Sequence, residues 1–321
     1  MDRHRQRPDD AHLSADEFDT LFQDMKRWGR WGTQDQRGAL HFLTPQRVAA
    51  SARLVRDGVS VSLSLPLNTE AAIDNPKPAV HRMILPDVIA SGEANSGLES
   101  PQFVKDYIGV DYHNDGHTHI DALCHVDYQR LLYNAQPDDS VTTDGASVDT
   151  IDILKDGLVG RGVLLDIPRL RGVPWLEPGE HIFRDDLEAA EHAQGIVVGE
   201  GDILLIRTGH VRRLNELGPW DTARLKAGLH PTAMSFIAER RVAALGSDGN
   251  SDTAPSTTDG VGFPIHVLAI NALGIHLLDY LQLEDLRAAC EQAGRWEFLF
   301  VAAPLRIPGG TGSPVNPLAI L

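Results

Sequence analysis

The chain has 321 residues, of which 42% are hydrophobic and 23% are charged, proportions that predict a globular protein with a sizeable core. Its formal net charge of −16 argues against nucleic acid and against an anionic membrane surface as partners, because both attract a positive face. The two cysteines, Cys124 and Cys290, are far apart in the sequence and define no disulfide framework, which favours a reducing compartment.

The first residues are charged and polar, and we expect residues 1–13 to be a disordered lead-in. They lack the apolar core of a signal peptide, and no run in the chain approaches the ~20 apolar residues of a membrane span. These two observations predict a cytoplasmic protein. The remaining residues, 14–321, are predicted to form a single domain.

Two helices are predicted before the first strand. Ser14 is a typical N-cap for a helix that extends to about residue 28. A glycine-rich loop over residues 28–43 separates it from a second helix, which Thr44 caps and Gly58 ends.

A strand and a long irregular stretch follow. Residues 59–65 alternate between apolar and polar side chains and predict a half-buried strand. Residues 66–105 are rich in proline and glycine and are expected to form either a pocket wall or a mobile lid. Within this stretch His81, Met83 and Leu85 indicate one short strand.

The densest chemistry of the chain lies in residues 112–126. Imidazole and carboxylate side chains suit zinc, manganese or iron, so the segment predicts a metal site. Its candidate ligands and proton carriers all have odd numbers and share one face if the chain is extended. These residues are His113, Asp115, His117, His119, Asp121 and His125.

Spacing assigns roles to some of these side chains. His119 and Asp121 are same-side neighbours of an extended strand, about 7 Å apart at the backbone, so both can reach one ion. Asp115 lies about 20 Å from Asp121 along a straight strand, so the segment must curl at Gly116 if both bind. His125 is the candidate general acid or base, because imidazole titrates near neutral pH.

The roles of His113 and His117 stay open. Each is a candidate for supporting the ligands, for contacting substrate, or for a plain surface position. Cys124, inside the same segment, is interpreted as a small buried hydrophobic residue rather than as a nucleophile.

After this segment, predicted helices and short apolar strands alternate, which indicates an α/β domain. The predicted strands span residues 162–167, 202–207, 241–246 and 297–303. The predicted helices span residues 148–154, 184–193, 231–239 and 283–293.

The central motif resembles a known family. Residues 118–125, Thr-His-Ile-Asp-Ala-Leu-Cys-His, are similar to the Thr-His-x-Asp-x-x-x-His core of the cyclase-like metal-dependent hydrolases, which include bacterial kynurenine formamidase and isatin hydrolase. The family motif begins with a histidine four positions before the central histidine, where this chain has Asp115, and the motif glycine is replaced by His117. Residues 31–45 resemble the Trp-Gly-x-x-Asp-x-x-Gly-x-x-Asn-x-Leu-Thr-Pro segment of the longer family members, with His41 at the asparagine position.

Later blocks extend the resemblance. Residues 201–209 resemble the family's Gly-Asp-x-x-Leu-x-Arg-Thr-Gly segment, and residues 312–314 resemble its closing Gly-Ser-Pro loop. In relatives with two metals, the histidine of a Pro-x-His block and a later glutamate complete the second metal position. The corresponding residues here are His266 and Asp279, the latter shorter than glutamate by one methylene.

The resemblance implies the family's swivelling β/β/α fold in a single domain, assembled as a homodimer or homotetramer. It also implies a divalent metal cofactor, zinc or manganese. The ligands that it implies are Asp115, His119, Asp121, His266 and Asp279.

The implied function is hydrolysis of a small-molecule amide, cyclic amide or lactone by a metal-activated water, with His125 moving protons. Two alternatives stay open. The first is a metal-dependent cyclase or lyase of secondary metabolism, and the second is a metal-free binding protein derived from the family.

Overall fold

The computed structural model describes residues 12–86 and 103–321. The predicted lead-in over residues 1–13 falls almost entirely outside these ranges, as does the middle of the predicted loop over residues 66–105. The described strands are β1 (Ser60–Ser62), β2 (Val80–Ile84), β3 (Lys105–Gly109), β4 (His119–Asp121), β5 (Val141–Thr142), β6 (Gly145–Ala146), β7 (Leu158–Asp166), β8 (His181–Ile182), β9 (Ile203–Arg207), β10 (Gly228–Leu229), β11 (Ala244–Ser247), β12 (His276–Asp279), β13 (Glu297–Ala302), β14 (Gly312–Pro314) and β15 (Leu318–Ile320). The described α-helical segments are α1 (Ala15–Met25), α2 (Pro45–Ser51), α3 (Ile167–Arg171), α4 (Arg184–Gln194), α5 (His210–Leu217), α6 (Met234–Arg240), α7 (Pro264–His266) and α8 (Glu284–Ala293).

Parallel strands form the centre of the largest described sheet, in the order β7, β9, β11, β12. Strand β9 and the second half of β7 are nearly continuous apolar runs, which is typical of strands covered on both faces. In β9, Leu204 and Ile206 pack into one apolar cluster, whereas Ile203 and Leu205 pack into another. The alternation of side chains along each strand therefore divides the core into two layers, one on each side of the sheet.

Antiparallel strands extend this sheet at both ends. At one end β13 pairs with β7 and β15, and β15 pairs in turn with β1. At the other end β4 lies between β12 and β14. The α/β class predicted from the sequence is confirmed, and the centre of the histidine-rich segment is a strand of the main sheet rather than a surface loop.

Most predicted helices are present with shifted ends. The hydroxyl of Ser14 accepts a hydrogen bond from the backbone N–H of Glu17, whose carboxylate accepts one from the N–H of Ser14, so a capping box begins α1. Segments α4, α6 and α8 lie close to their predicted bounds. The second predicted helix is shorter than expected, because α2 ends at Ser51 and continues only as a 3₁₀ turn to Leu54. No helix in the described ranges has both the length and the apolar composition that a membrane span requires.

Other local predictions need correction. The helix predicted at residues 148–154 is only a 3₁₀ turn over Ile151–Leu154, because Asp149 has a φ of 56°, which no helical residue adopts. The strand predicted at residues 59–65 is confined to β1. The apolar run after His266, for which no helix was predicted, continues α7 as a π-helical turn, Val267–Ala272. The short strand predicted around His81 is confirmed as β2, which forms an exposed ribbon with β3.

Asp149 is a buried carboxyl group with no hydrogen-bond donor among the described residues at either oxygen. Its backbone is held in place, because its N–H donates to Gln36 and its carbonyl accepts from the N–H of Cys124. Burial raises the pKa of Asp149 to about 7, and the nearby carboxylate of Asp35 acts in the same direction. Below about pH 7 the folded protein therefore holds a proton on Asp149 that the unfolded chain releases at the ordinary aspartate pKa.

We predict that Asp149→Asn stabilises the protein above neutral pH. Between the ordinary aspartate pKa and about pH 7 the folded state binds more protons than the unfolded state, so the free energy of unfolding falls as the pH rises through that window. Asparagine has no proton to lose and tolerates a positive φ, so the variant avoids this loss. We expect a free energy of unfolding about 1–3 kcal/mol above wild type at about pH 8, and a smaller difference at about pH 4, measured by urea unfolding.

Asp139→Asn is the matched control, because Asp139 is exposed. It should follow the pH dependence of the wild type. If Asp149→Asn also follows the wild-type pH dependence, the assignment of a proton to Asp149 is wrong.

Candidate metal centre

Strand β4 brings two of the predicted ligands together. His119 and Asp121 leave the same face of the strand, while the intervening Ile120 enters the apolar core. The Nε2 atom of His119 lies 3.5 Å from Oδ1 of Asp121. On the neighbouring strand β12, Asp279 is the register partner of His119, and its Oδ2 atom lies 4.0 Å from the same Nε2. Strand pairing alone therefore places these three side chains side by side.

His113 completes the first ligand group, His113, His119 and Asp121, in which one candidate ligand atom from each residue lies within 4.8 Å of the others. Nδ1 of His113 is 2.9 Å from Oδ1 of Asp121. Between His113 and β4 the chain turns at Asp115 and Gly116, the position at which the sequence predicted a curl. A Cβ atom at Gly116 would lie only 2.6 Å from Oδ1 of Asn75, so this close approach requires glycine.

The second ligand group contains Asp121, His266 and Asp279 within the same limit. Nε2 of His266 lies 3.3 Å from Oδ2 of Asp279 and 3.7 Å from Oδ2 of Asp121. Because Asp121 presents Oδ1 to the first group and Oδ2 to the second, it is shared by both. The predicted ligands His119, Asp121, His266 and Asp279 are thus brought together from separate parts of the sequence.

Hydrogen bonds fix which nitrogen each histidine presents. Nδ1 of His119 lies 2.8 Å from the carbonyl oxygen of His117, and donation to that carbonyl leaves Nε2 with a free lone pair. Nδ1 of His266 lies 2.6 Å from Asp252, which also accepts from the backbone N–H of Ile265 and His266. Such outer contacts orient imidazoles that bind metals.

The shared carboxylate has an unusual electrostatic environment. Burial would raise the pKa of Asp121, but the facing imidazoles of His125, His113 and His119 lower it below its ordinary value. Burial raises the pKa of Asp279. For His266 burial acts to lower the pKa, but Asp252 and Asp279 raise it well above its ordinary value.

The donor set fits a divalent cation. Both oxygens of Asp121 and Oδ1 of Asp279 are buried and receive no hydrogen bond from the part of the chain that the structure describes. Unsatisfied buried oxygens cost free energy, which a bound cation offsets. Mixed imidazole and carboxylate donors suit zinc, manganese and iron.

His125 lies beside both ligand groups but belongs to neither. It ends a 3₁₀ turn, Leu123–His125, and its ring is stacked on His113 with centroids 3.9 Å apart and planes 6° apart. The His266 ring centroid is 6.4 Å away. Burial lowers the pKa of His125 to about 4 against the opposing charge of Asp121, so the imidazole is neutral near pH 7.

Two predicted residues have other contacts. Asp115 lies outside both ligand groups, and its oxygens accept hydrogen bonds from Thr222 and Tyr280, with Nζ of Lys226 3.5 Å away. Burial acts to raise the pKa of Asp115, but Lys226 and the two hydroxyl groups lower it below its ordinary value. The His117 side chain is buried without a hydrogen bond to the described residues, and its carbonyl orients a ligand instead.

The residues that support the candidate ligands were not predicted from the sequence. Asp252 belongs to the polar run Gly-Ser-Asp-Gly-Asn-Ser-Asp, which reads only as turn chemistry, and nothing in its spacing indicates contact with His266. The first aspartate of that run, Asp248, does hold a turn, because it accepts from the backbone N–H groups of Thr208, Gly209 and His210. No pattern in the sequence indicates a role for Tyr280 or Lys226, both of which the structure shows to be buried.

The chain matches the model of the putative cyclase family over residues 61–252. It belongs to that family. A crystal structure described as a novel cyclase is 33% identical, with a TM-score of 0.85 over 94% of this chain and 99% of that chain. The resemblance found in the motifs is thereby confirmed.

More distant structures share the fold. Isatin hydrolase A from Ralstonia solanacearum is 23% identical, with a TM-score of 0.56 over 86% of this chain and 95% of that one. A predicted metal-dependent hydrolase from Bacillus stearothermophilus is 19% identical, with a TM-score of 0.51 over 81% of this chain and 97% of that one. No curated protein matches the chain.

We predict that Asp252→Asn weakens the binding of Zn²⁺ about 10–100-fold, the usual effect of losing an outer partner of a ligating histidine. The neutral amide is a weaker acceptor for Nδ1–H of His266 and leaves that ring free to rotate. Affinity would be measured by competition with a chromophoric chelator on metal-stripped protein. Asp259→Asn, an exposed position in the same loop, is the control, and equal affinities of the two variants would contradict the prediction.

Proposed function

We propose that the protein is a metal-dependent hydrolase of a small amide, cyclic amide or lactone. The observation that carries this proposal is the pair of ligand groups that share the buried carboxylate of Asp121, with the neutral imidazole of His125 beside them. Membership of the putative cyclase family supports it, and so does the fold shared with proteins described as isatin hydrolases and as a metal-dependent hydrolase.

In this proposal His113, His119 and Asp121 hold one divalent cation, zinc or manganese. His266 and Asp279, with the other oxygen of Asp121, provide a second position. When bound, such a cation polarises a carbonyl group and makes water acidic enough to attack it near neutral pH. Together the two positions would use two carboxylates and three imidazoles, which come from separate elements of the fold.

His125 is proposed to move the proton. Its neutral ring accepts a proton from the attacking water and then donates that proton to the nitrogen or oxygen that leaves. Stacking on His113 holds the ring in one orientation, so proton transfer requires no rearrangement of the side chain. Phe263, half exposed and edge-on to His266, provides an apolar wall against which a substrate can exclude water.

A second candidate is a cyclase or lyase reaction, which the 33% identical relative described as a novel cyclase favours. The same arrangement serves it, because His125 can remove a proton from carbon next to a polarised carbonyl. The two reactions differ in the fate of water. Only hydrolysis places a solvent oxygen in the acid product.

We predict that turnover of an N-formyl aniline, a cyclic amide or a lactone in ¹⁸O-labelled water gives an acid product with one labelled oxygen, detected by mass spectrometry. A ring-closed or elimination product without label would favour the cyclase or lyase candidate. Failure of the purified protein to bind any divalent metal after supplementation would contradict both and favour a metal-free binding protein.

We predict that His125→Asn lowers kcat about 10²–10⁴-fold while the metal content stays at the wild-type level, because this side chain moves a proton and lies outside both ligand groups. Elemental analysis and steady-state kinetics would be measured on the same samples. His119→Ala should lose metal and activity together, whereas the exposed control His12→Ala should lose neither. Loss of metal from His125→Asn would make His125 a ligand rather than a proton carrier.

A further inference from the structure

The contacts of Asp115 leave little room for a cation. Oδ2 accepts a hydrogen bond from the Thr222 hydroxyl at 2.6 Å, and Oδ1 accepts one from the phenol of Tyr280. Nζ of Lys226 lies 3.5 Å from Oδ1. A carboxylate offers about four lone-pair sites, and three of them already face a donor. The imidazole of His113, two positions earlier, lies in the first ligand group instead.

Tyr280 is the residue on which these contacts converge. It directly follows Asp279 and has a φ of 54°, a backbone conformation that a bulky side chain keeps only when its surroundings hold it. Its N–H donates to the carbonyl of Gly249 at 2.8 Å, and its carbonyl accepts from the Thr118 hydroxyl at 2.5 Å. Its phenol donates to Asp115 and lies 3.2 Å from Nζ of Lys226.

These bonds join the two strands that carry ligands. Thr118 directly precedes His119 on β4, and Tyr280 directly follows Asp279 on β12. In the register of the sheet, His119 and Asp279 are partners. A displacement of Tyr280 therefore moves the backbone next to a ligand in both groups.

Lys226 adds a constraint that a single hydrogen bond would not provide. Its side chain is only 2% exposed, and Asp115 is its one carboxylate partner among the described residues. A buried ammonium group that loses its partner is strongly unfavourable, so Asp115 cannot move away from Lys226 and Tyr280 without cost. The pair thus keeps the loop between His113 and His119 against the end of β12.

We propose that Asp115 is a positioning residue rather than a metal ligand: together with Lys226 it fixes Tyr280, and Tyr280 fixes the backbone of the ligands on β4 and β12. This inference rests on the proposed metal site. The inference is specific to this chain, because the family motif has a ligating histidine at the position of Asp115. The carboxylate found there instead already accepts hydrogen bonds from other residues of the protein.

The test is the affinity of metal-stripped protein for Zn²⁺ and Mn²⁺, measured by competition with a chromophoric chelator. Tyr280→Phe removes only the hydroxyl and leaves Asp115 and Lys226 paired. We expect its affinity to fall about 10–100-fold, as for other residues that orient ligands. The affinity of Asp115→Asn should fall by a similar factor. The double variant should bind metal no more weakly than the single variant with the lower affinity, because both substitutions break one network.

Tyr133→Phe is the matched control, since Tyr133 is also a buried tyrosine whose hydroxyl donates to a carboxylate, that of Asp35, at 3.0 Å. It should lose stability in urea unfolding but bind metal as the wild type does. This contrast separates positioning of the ligands from a general loss of stability.

If Tyr280→Phe does not fold, Thr222→Val replaces it, because it removes the hydrogen bond to Oδ2 of Asp115 with little change of volume. It should weaken metal binding by several-fold. Wild-type affinity in Tyr280→Phe or Thr222→Val, together with complete loss of metal in Asp115→Asn, would overturn the inference and make Asp115 a ligand. A wild-type protein that binds neither cation would overturn the proposed function and this inference with it, and that result is visible before any variant is compared.

Discussion

The site depends on one shared carboxylate. Asp121 is fully buried, and each of its oxygens faces a different set of ligand atoms from separate parts of the chain. A buried charge of this kind is tolerable only when cations or protonated groups face it. The turn that returns His113, strand β4 itself with His119, and α7 with His266 bring imidazoles to the two oxygens of Asp121.

The sequence predicted the parts of the fold that depend on local pattern. The apolar runs that form β7, β9 and β11 predicted most of the buried centre of the sheet, and periodicity with capping residues predicted most of the helices. The prediction of a helix at residues 148–154 was wrong because Asp149 has a positive φ, which interrupts a helix. The residue type alone did not predict that conformation. The π-helical turn that continues α7, Val267–Ala272, was missed because five of its six residues are apolar and show no helical period.

His119 and Asp121 were predicted from their spacing, His266 and Asp279 from the family resemblance, and Asp115 is the predicted ligand that the structure places outside both ligand groups. His119 and Asp121 are two apart on one strand, so a local rule places them together. Asp115 occupies the position of the leading histidine in the family motif, but the turn at Gly116 presents His113 to the site and directs Asp115 to Tyr280. A motif specifies positions along the sequence, whereas the path of the turn determines which side chain enters the candidate metal site. Asp252 and Lys226 lie more than a hundred residues from this motif, and no periodic signal reports such contacts.

Among the described residues, two buried carboxylates, Asp121 and Asp149, have no hydrogen bond at either oxygen, and they differ in kind. Three imidazoles face Asp121 and lower its pKa, so it remains an anion that can accept a cation. Burial raises the pKa of Asp149 to about 7, the carboxylate of Asp35 acts in the same direction, and Asp149 therefore takes up a proton more readily than an ordinary aspartate. An unsatisfied oxygen is therefore not by itself evidence of a metal site. The groups that face the carboxylate favour a proton at Asp149, whereas around Asp121 the described residues supply imidazoles that could hold a metal ion with it.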